Sequence, residues 1–482
     1  MKKNSVIKAI LFTFLVYVVL SWIIPAGGYS AEGFVKGEPL PTGLSFIFFF
    51  PLLTLCEYSY AIIGIVVLLI GALYGVMNKT GVYQKLVEGT VKKFNGKEKV
   101  FLIISIIIFA LLASLTNLTL PLIIMVPFFV AVILMLGYNK MTALLSTVGA
   151  ILVGNMGTIF GYNYINSLLE LKNTQNIVAQ IALFVLLTTV LLIFVIKTSK
   201  IEKVEKKKGR KSTKKKETEE VQEEVIIPLY KKVEESKKSS KPLLIVLILT
   251  IVISLVAMFD WAGVLGVKET IFTTLHTKIN EIQVNNYPIF ANLLGTSVGE
   301  LGSWANIHLA MIIIITILVI GFVYNLKVRE TFDAAVEGMK EVLSVAVVAV
   351  LANILLLIVT NSSAVFFGTI FNSISNAFEK IPEIGFTINS AIGSVAYNES
   401  MHLINALYGT INTVDIKEMP QYIYIMQVML GFVMMLVPTS VGLVIGLQYL
   451  DISFKEWFKE NWKLLLSLLA VALILIIIVV LV

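Results

Sequence analysis

Glu399 is a carboxylate within a largely apolar stretch of the chain, Ile388 to Leu407. Asn398 and Ser400 flank it, and His402 follows three residues later, on the same face of a helix. At membrane depth a charged carboxylate must be offset by a partner, a bound ion or a proton, so such a residue is a functional candidate by default. The alternative is that Glu399 lies in a wet loop beyond the end of a helix.

Two short polar turns interrupt the most apolar regions of the chain. Their hydroxyl and amide oxygens are hard ligands that suit Na⁺ or hydrogen bonds to a substrate. The candidate binding residues are Ser114, Thr116, Asn117 and Thr119 in the first turn, and Thr360, Asn361, Ser362 and Ser363 in the second. We expect Asn117 and Asn361 to approach the middle of the membrane, to face one shared cavity and to offer a place for Na⁺.

Both turns belong to an internal repeat. Leu111-Leu112 followed by Thr116-Asn117 returns 244 positions later as Leu355-Leu356 followed by Thr360-Asn361. Further pairs are Ser146 with Ser390, Gly149 with Gly393, Gly154-Asn155 with Asn398-Glu399, and, at a spacing of 249, Val87-Glu88-Gly89 with Val336-Glu337-Gly338. Several matches in one order indicate an internal duplication, which is how many secondary transporters are built. Whether the two repeats are parallel or inverted stays open.

Each half also contains an apolar helix that polar residues would break near mid-membrane. Gly154, Asn155 and Gly157 follow the apolar stretch Met141 to Val153, and Asn398-Glu399-Ser400 takes the same place in the second half. Half-helix ends at such breaks point their dipoles at a ligand, so these residues join the candidate site. The alternative for the glycines is a packing face between helices.

The polar turns need helical arms to position them. Val100 to Ala113 has 14 residues, fewer than the roughly 20 that a spanning helix requires, and Pro121 stands where a new helix would begin. A re-entrant hairpin fits both facts, and its tip must line a cavity because unpaired backbone groups cannot face lipid. Val342 to Phe378 forms the second hairpin, preceded by an amphipathic surface helix from Arg329 to Lys340. Two ordinary spanning helices joined by an exposed loop are the alternative.

Composition defines the class of protein. Hydrophobic residues make up 57% of the chain and charged residues 14%, with apolar runs near or beyond 18 residues at several places, so we predict an all-α polytopic membrane protein. Residues 197–241 contain 16 Lys/Arg and 9 Glu, an excess of +7 that equals the net charge of the whole chain. Positive-inside bias explains this loop better than nucleic-acid binding does. A single cysteine, Cys56, excludes an intramolecular disulfide.

The predicted organisation has three parts. Residues 1–197 form the first membrane repeat, residues 198–241 a charged linker and residues 242–482 the second membrane repeat. The amino terminus and the linker are predicted to be cytoplasmic, in a bacterial-type inner membrane. Because nothing in residues 205–236 is expected to pack against a core, we predict that deleting them leaves transport largely intact.

Short motifs along the chain resemble a known group of carriers. They are Ser21-Trp-Ile-Ile-Pro-Ala-Gly-Gly, Ala335-Val-Glu-Gly-Met-Lys, Val437-Pro-Thr-Ser-Val-Gly and Phe454-Lys-Glu-Trp. Their order is similar to that in the YfcC-like branch of the C4-dicarboxylate carrier group, within the ion transporter superfamily. The resemblance implies paired hairpins, two broken helices and a scaffold with a moving transport domain. The substrates it implies are basic amino acids, dicarboxylates or related carboxylates.

These features predict a secondary active transporter without a cofactor, coupled to Na⁺ or H⁺ or working by exchange. Its partners would be a small-molecule substrate, the lipid bilayer and, as one assembly, a second copy of the chain; no nucleic acid is expected. No Lys or Arg lies in either hairpin or either broken helix, whereas Glu399 does, so an amine-bearing carboxylate such as an amino acid is favoured. A C4-dicarboxylate or short carboxylate is the alternative. A channel or a membrane enzyme is less favoured, because no catalytic motif appears.

Overall fold

The fold is that of a computed structural model, which describes residues 5–30, 33–169, 171, 176–201, 227–233, 236–295, 298–361, 365–411 and 414–481. In the first half the helices are α1 (Ser5–Ile23), α2 (Phe46–Cys56), α3 (Tyr58–Lys79), α4 (Val82–Phe94), α5 (Glu98–Thr116), α6 (Leu120–Ile123), α7 (Val126–Met135), α8 (Lys140–Leu144), α9 (Ala150–Met156), α10 (Asn163–Leu168) and α11 (Ile177–Thr198). A π-helical turn, Leu145–Gly149, joins α8 to α9. Strands β1 (Gly27–Ser30) and β2 (Gly33–Lys36) pair antiparallel.

The second half is also helical. Its helices are α12 (Lys241–Met258), α13 (Trp261–Leu265), α14 (Ile271–Asn280), α15 (Ile289–Leu294), α16 (Asn306–Val323), α17 (Val328–Leu351), α18 (Ile354–Thr360), α19 (Phe366–Ala377), α20 (Pro382–Gly393), α21 (Ser400–Leu407), α22 (Met419–Val433), α23 (Val441–Leu450) and α24 (Phe454–Leu481). Strands β3 (Gln283–Val284) and β4 (Tyr287–Pro288) pair antiparallel between α14 and α15. A 3₁₀ turn, Tyr408–Thr410, follows α21.

Eight helices of the described chain are long and apolar enough to cross a membrane. They are α1, α3, α5, α11, α12, α16, the combined span Val328–Thr360 and α24. The predicted class, an all-α polytopic membrane protein, is confirmed. The two repeats remain a prediction, although each half contains a helix, a polar turn, a second helix and then an interrupted helix in the same order.

Helices α3 and α17 form the most closely packed pair in the molecule. A Cβ atom added at Gly71 would lie 2.6 Å from the carbonyl oxygen of Gly338, and one added at Gly75 would lie 2.1 Å from that of Ala334. Glycine therefore allows the two backbones to touch, as in other membrane helix pairs. Because residue numbers rise along α3 as they fall along α17, the two helices run antiparallel.

One end of this pair defines what we call the basic face. Helix α3 ends there at Lys79, α12 begins there at Lys241 and α17 follows Lys327. The ends are tied together, since the Tyr324 hydroxyl donates to the carbonyl oxygen of Ser239 at 2.9 Å. Helix α12 ends and helix α16 begins at the opposite face.

The helices expected to form the arms of the two hairpins are longer than the sequence pattern predicts. Helix α5 has 19 residues rather than 14, because it begins two residues earlier, at Glu98, and continues three residues further, through Thr116. The separate surface helix expected over Arg329 to Lys340 is wrong, because that stretch is the start of α17. Helix α17 continues past Lys340 because no glycine or proline interrupts it there. Together with α18 it forms the candidate membrane span Val328–Thr360, which has 33 residues.

The predicted linker is not free along its whole length. Leu229 is only 2% exposed, and its backbone N–H donates to Glu341 Oε2 at 3.2 Å. The expectation that nothing in residues 205–236 packs is wrong for residues 227–233, because Ile227-Pro228-Leu229-Tyr230 is an apolar cluster within the charged run. Residues 202–226 and 234–235 lie outside the described part of the chain.

Candidate functional site

A cavity of about 410 Å³ lies between the two halves of the chain. The first half lines it with the turn at Asn117 and with Asn155, and the second half with the helix interruptions at Asn353, Asn398 and Ser440. We call it the central cavity. Its polar lining residues are Asn117, Thr119, Asn155, Tyr162, Asn306, Asn353, Asn398, Glu399, Ser400 and Ser440. Among the described residues that line it, none is Lys or Arg. Met258 and Asn306 place the cavity toward the face opposite the basic face.

Three helices begin at the wall of the central cavity. The helical stretch Leu120–Met135 begins after Thr119, α21 after Glu399 and α23 after Ser440. The first amides of a helix have no partner within the helix, and the helix dipole gives this end a partial positive charge. Three such ends around one cavity suit an anionic ligand, even without a basic side chain.

Asparagine amides connect the walls of the cavity. Asn398 Nδ2 donates to Asn353 Oδ1 at 3.0 Å and to the carbonyl oxygen of Thr439 at 2.7 Å. Asn155 Nδ2 donates to Thr119 Oγ1 at 2.9 Å. Within the described chain, Asn155 Oδ1, Asn398 Oδ1 and Asn353 Nδ2 are buried without a hydrogen-bond partner. Buried polar atoms are normally paired, so these three atoms are available to hydrogen-bond or coordinate a ligand, an ion or water at the cavity wall.

Glu399 occupies the N-cap position of α21. Its carboxylate lies 3.7 Å from His402 Nε2, and the two side chains are 54% and 41% exposed. The side chain of Tyr60 is hydrogen-bonded to Thr360 and interacts electrostatically with Glu399. Glu399 is therefore an accessible acidic group on the wall of the central cavity, in the non-helical break between α20 and α21.

Several predicted residues of the first half serve helix packing instead. Ser114 Oγ donates to the carbonyl oxygen of Gly157 at 2.6 Å, and Thr116 Oγ1 donates to that of Leu112 within its own helix at 2.7 Å. A Cβ atom at Gly154 would lie 2.3 Å from the carbonyl oxygen of Ala110, and one at Gly157 would lie 2.8 Å from Phe184 Cα. The packing interpretation of these glycines is the one that the geometry favours.

The second polar turn does not reach the central cavity. Asn361 lines a separate cavity of about 200 Å³ beside Tyr17 and Val365, so the expectation that it shares a cavity with Asn117 is wrong. The reason is the length of the span Val328–Thr360, which carries its end past the cavity. Ser362 and Ser363 lie outside the described residues.

Asn353 takes the place that we expected of Asn361. It lies at the interruption between α17 and α18, where it lines the central cavity. A lone amide within the apolar run Val342 to Val359 was the signal that could have found it, because a buried polar group needs a partner. Thr439 and Ser440, after Pro438, carry a similar signal.

The fold is that of a polytopic membrane protein with a polar cavity between its helices. A family model described as "DcuC: C4-dicarboxylate anaerobic carrier" matches residues 4–481. The chain therefore belongs to the DcuC family of C4-dicarboxylate carriers. Among solved structures, the chain is similar to the Alcanivorax borkumensis YdaH transporter, reported to have an unusual topology, with 14% identity, 98% of each chain covered and a TM-score of 0.40. No curated protein matches the chain at a significant level.

Proposed function

We propose that this protein carries C4-dicarboxylates, or closely related short carboxylates, across the membrane. The observation that carries the proposal is the convergence of three helix N-termini and several asparagine amides on one cavity. Backbone N–H groups and helix dipoles can hold two carboxylates without Lys or Arg. Family membership supports the same substrate class.

The amino acid favoured by the sequence pattern is not supported by the family. That preference rested on the lack of basic side chains near Glu399. It did not take into account that backbone N–H groups at helix N-termini also attract an anion. The dicarboxylate alternative is therefore the better hypothesis. Membership of the YfcC-like branch stays a prediction.

The charges in the cavity support coupling of transport to a cation. A dianion beside Glu399 would bring three negative charges together, which is unfavourable unless a cation accompanies the substrate. Oδ1 of Asn155 and Oδ1 of Asn398, both buried without a partner among the described residues, are hard oxygen ligands that suit Na⁺. Glu399, whose carboxylate lies 3.7 Å from His402 Nε2, is the acidic group on the cavity wall. We propose that Na⁺ or H⁺ enters with the substrate.

Transport by purified protein in proteoliposomes tests the substrate class. Labelled C4-dicarboxylates and labelled amino acids would be offered with and without Na⁺ and pH gradients. We expect saturable uptake and counterflow of a dicarboxylate, because a carrier saturates and exchanges whereas a channel does not. A wild-type protein that moves only amino acids would overturn the proposal.

Glu399→Gln tests the coupling. The amide keeps the volume of the side chain and loses its ionisable charge, so we expect gradient-driven accumulation to fall at least about tenfold while exchange of internal for external dicarboxylate continues. Glu383→Gln, in the first turn of α20 and outside the central cavity, is the matched control. Accumulation by Glu399→Gln at the wild-type level would show that this carboxylate does not take part in coupling.

The membrane arrangement remains part of the proposal. We place the basic face in the cytoplasm of a bacterial-type cell, as Lys/Arg bias predicts. The central cavity would then open toward the outside, and an inward-open state would be needed to complete transport.

A further inference from the structure

Residues Ile227–Val233, which we call the docked segment, bind across several helices at the basic face. Asn78 of α3 donates from Nδ2 to the carbonyl oxygen of Leu229 at 3.0 Å and accepts the N–H of Lys231 at 3.1 Å. At the other end of the segment, the N–H of Val233 donates to Gln84 Oε1 of α4 at 2.9 Å. These contacts satisfy the backbone of the segment much as a neighbouring strand would.

The repeated Val-Glu-Gly motif supplies the acidic partners. The Tyr230 hydroxyl donates to Glu88 Oε1 at 3.2 Å, and Lys231 Nζ donates to Glu337 Oε1 at 2.6 Å. Glu341 Oε1 lies 2.7 Å from the same ammonium group. Burial alone lowers the pKa of Lys231, but the two carboxylates outweigh it and the pKa is raised. The ammonium therefore stays charged throughout the physiological pH range.

Leu229 has an unusual backbone conformation at the centre of the segment. Its φ is +57°, a left-handed value that a leucine rarely adopts. Such strain persists only where the surrounding contacts hold the residue in place. The segment is thus fitted to its site rather than resting on the surface.

The Leu229 side chain closes a narrow apolar gap. The gap, about 20 Å³ in volume, is also lined by Val67 and Ile70 of α3, Val126 of α7 and Ile445 of α23. On the polar side, the Tyr449 hydroxyl of α23 donates to the carbonyl oxygen of Pro228 at 2.9 Å. The docked segment therefore bridges the α3–α17 pair and the helices on the other side of the gap.

This gap lies between the same helical stretches as the central cavity, nearer the basic face. Ile63 of α3, Leu120 of α6 and Val441 of α23 line the central cavity, and the same helical stretches line the gap further along the chain. From Ile63 to Ile70 the distance along α3 is about 10 Å. All three stretches lead toward the basic face, and we call the packed interface between them the seam. Leu229 therefore stands in the seam between the central cavity and the basic face.

We infer that the docked segment is a gate: Leu229 closes the seam in this state and must withdraw for the central cavity to open at the basic face. The inference rests on the proposed function, because a carrier has to open its site to both faces in turn. The predicted linker thereby gains a role in the transport cycle. Deleting residues 205–236 would remove this gate.

Chemical labelling tests the gate without any substrate. In a Cys56→Ser background, Ile445→Cys would report access to the seam when inside-out vesicles are treated with a membrane-impermeant maleimide. Leu229→Ser should raise the labelling rate at least about tenfold, because removing a buried leucine side chain destabilises the closed seam. Lys85→Cys, exposed on α4, is the control and should react equally with and without Leu229→Ser. Unchanged labelling of Ile445→Cys would overturn the inference.

Cross-linking tests whether the gate has to move. A short cleavable thiol cross-linker joining Leu229→Cys to Ile445→Cys should reduce dicarboxylate uptake at least about tenfold, and cleavage should restore it. Tyr138→Cys with Ile201→Cys, which pair through a β-bridge outside the seam, should retain uptake when joined. Full uptake by the cross-linked Leu229 pair would refute the gate. If the wild type carries no dicarboxylate, the proposed function fails, whereas the labelling test still decides the gate.

Discussion

The turn at Asn117 and the turn at Asn361 come from matching stretches of the two halves, yet only the first reaches the central cavity. Helix α5 ends at Thr116, directly at the cavity wall. In the second half, α18 continues for 7 residues beyond the interruption at Asn353, which is about 10 Å of helix. Depth in the membrane therefore depends on the length of the arm and not on the residues of the turn.

The interrupted helices of the two halves also differ in what their matching residues contact. Gly154 and Asn398 are matched by the repeat, but Gly154 packs against Ala110 whereas Asn398 lines the cavity and binds Asn353. One half contributes a close helix contact and the other contributes a polar side chain at the same relative position. The central cavity is thus asymmetric, although the two stretches of sequence match.

The sharpest test of this asymmetry compares Asn353→Ala with Asn361→Ala. Asn353→Ala removes the acceptor of Asn398 Nδ2 and a donor at the cavity wall, so we expect uptake efficiency to fall about a hundredfold. Asn361→Ala should stay within about twofold of wild type. Initial uptake rates at equal membrane abundance provide the measurement. If only Asn361→Ala reduced uptake, the second turn would belong to the binding site after all.

The next effect concerns packing at Gly154. In Gly154→Ala the new methyl group would meet the Ala110 carbonyl oxygen, so we expect the free energy of unfolding to fall by about 2 kcal/mol. Gly89→Ala is the matched control, because no atom lies within 4 Å of its added Cβ. Thermal unfolding in detergent compares the two. Equal stability of both variants would mean that α5 and α9 do not pack as described.

The smallest expected effect is on stability, and it comes from the different backbone conformations of the two turns. Asn117 has a φ of +55°, which glycine accepts freely and alanine does not. We expect Asn117→Ala to lower stability by about 1 kcal/mol relative to Asn117→Gly. At Asn361, where φ is −85°, alanine should be at least as stable as glycine. The same order of stability at both positions would contradict the difference between the turns.

The sequence by itself determined the class of protein and most of its helices. Apolar runs, basic loops and polar turns are local features, and the burial of backbone groups in lipid leaves helices as the main solution for such runs. The sequence also pointed to Asn117, Thr119, Asn155, Asn398, Glu399 and Ser400, which all line the central cavity. These residues could be found because a polar group in an apolar stretch is conspicuous without any knowledge of its neighbours.

Only the tertiary structure decided which polar groups meet. The position of Asn353 beside Asn398, and the exclusion of Asn361, depend on where α17 continues and where it is interrupted. The docked segment depends on contacts such as that between Asn78 and Lys231, which lie 153 residues apart. Charge and composition describe what a segment can do in water, whereas the partners that bind it are set by the packing of distant helices. For that reason the docked segment, which the sequence predicts to be part of a linker, packs in the seam.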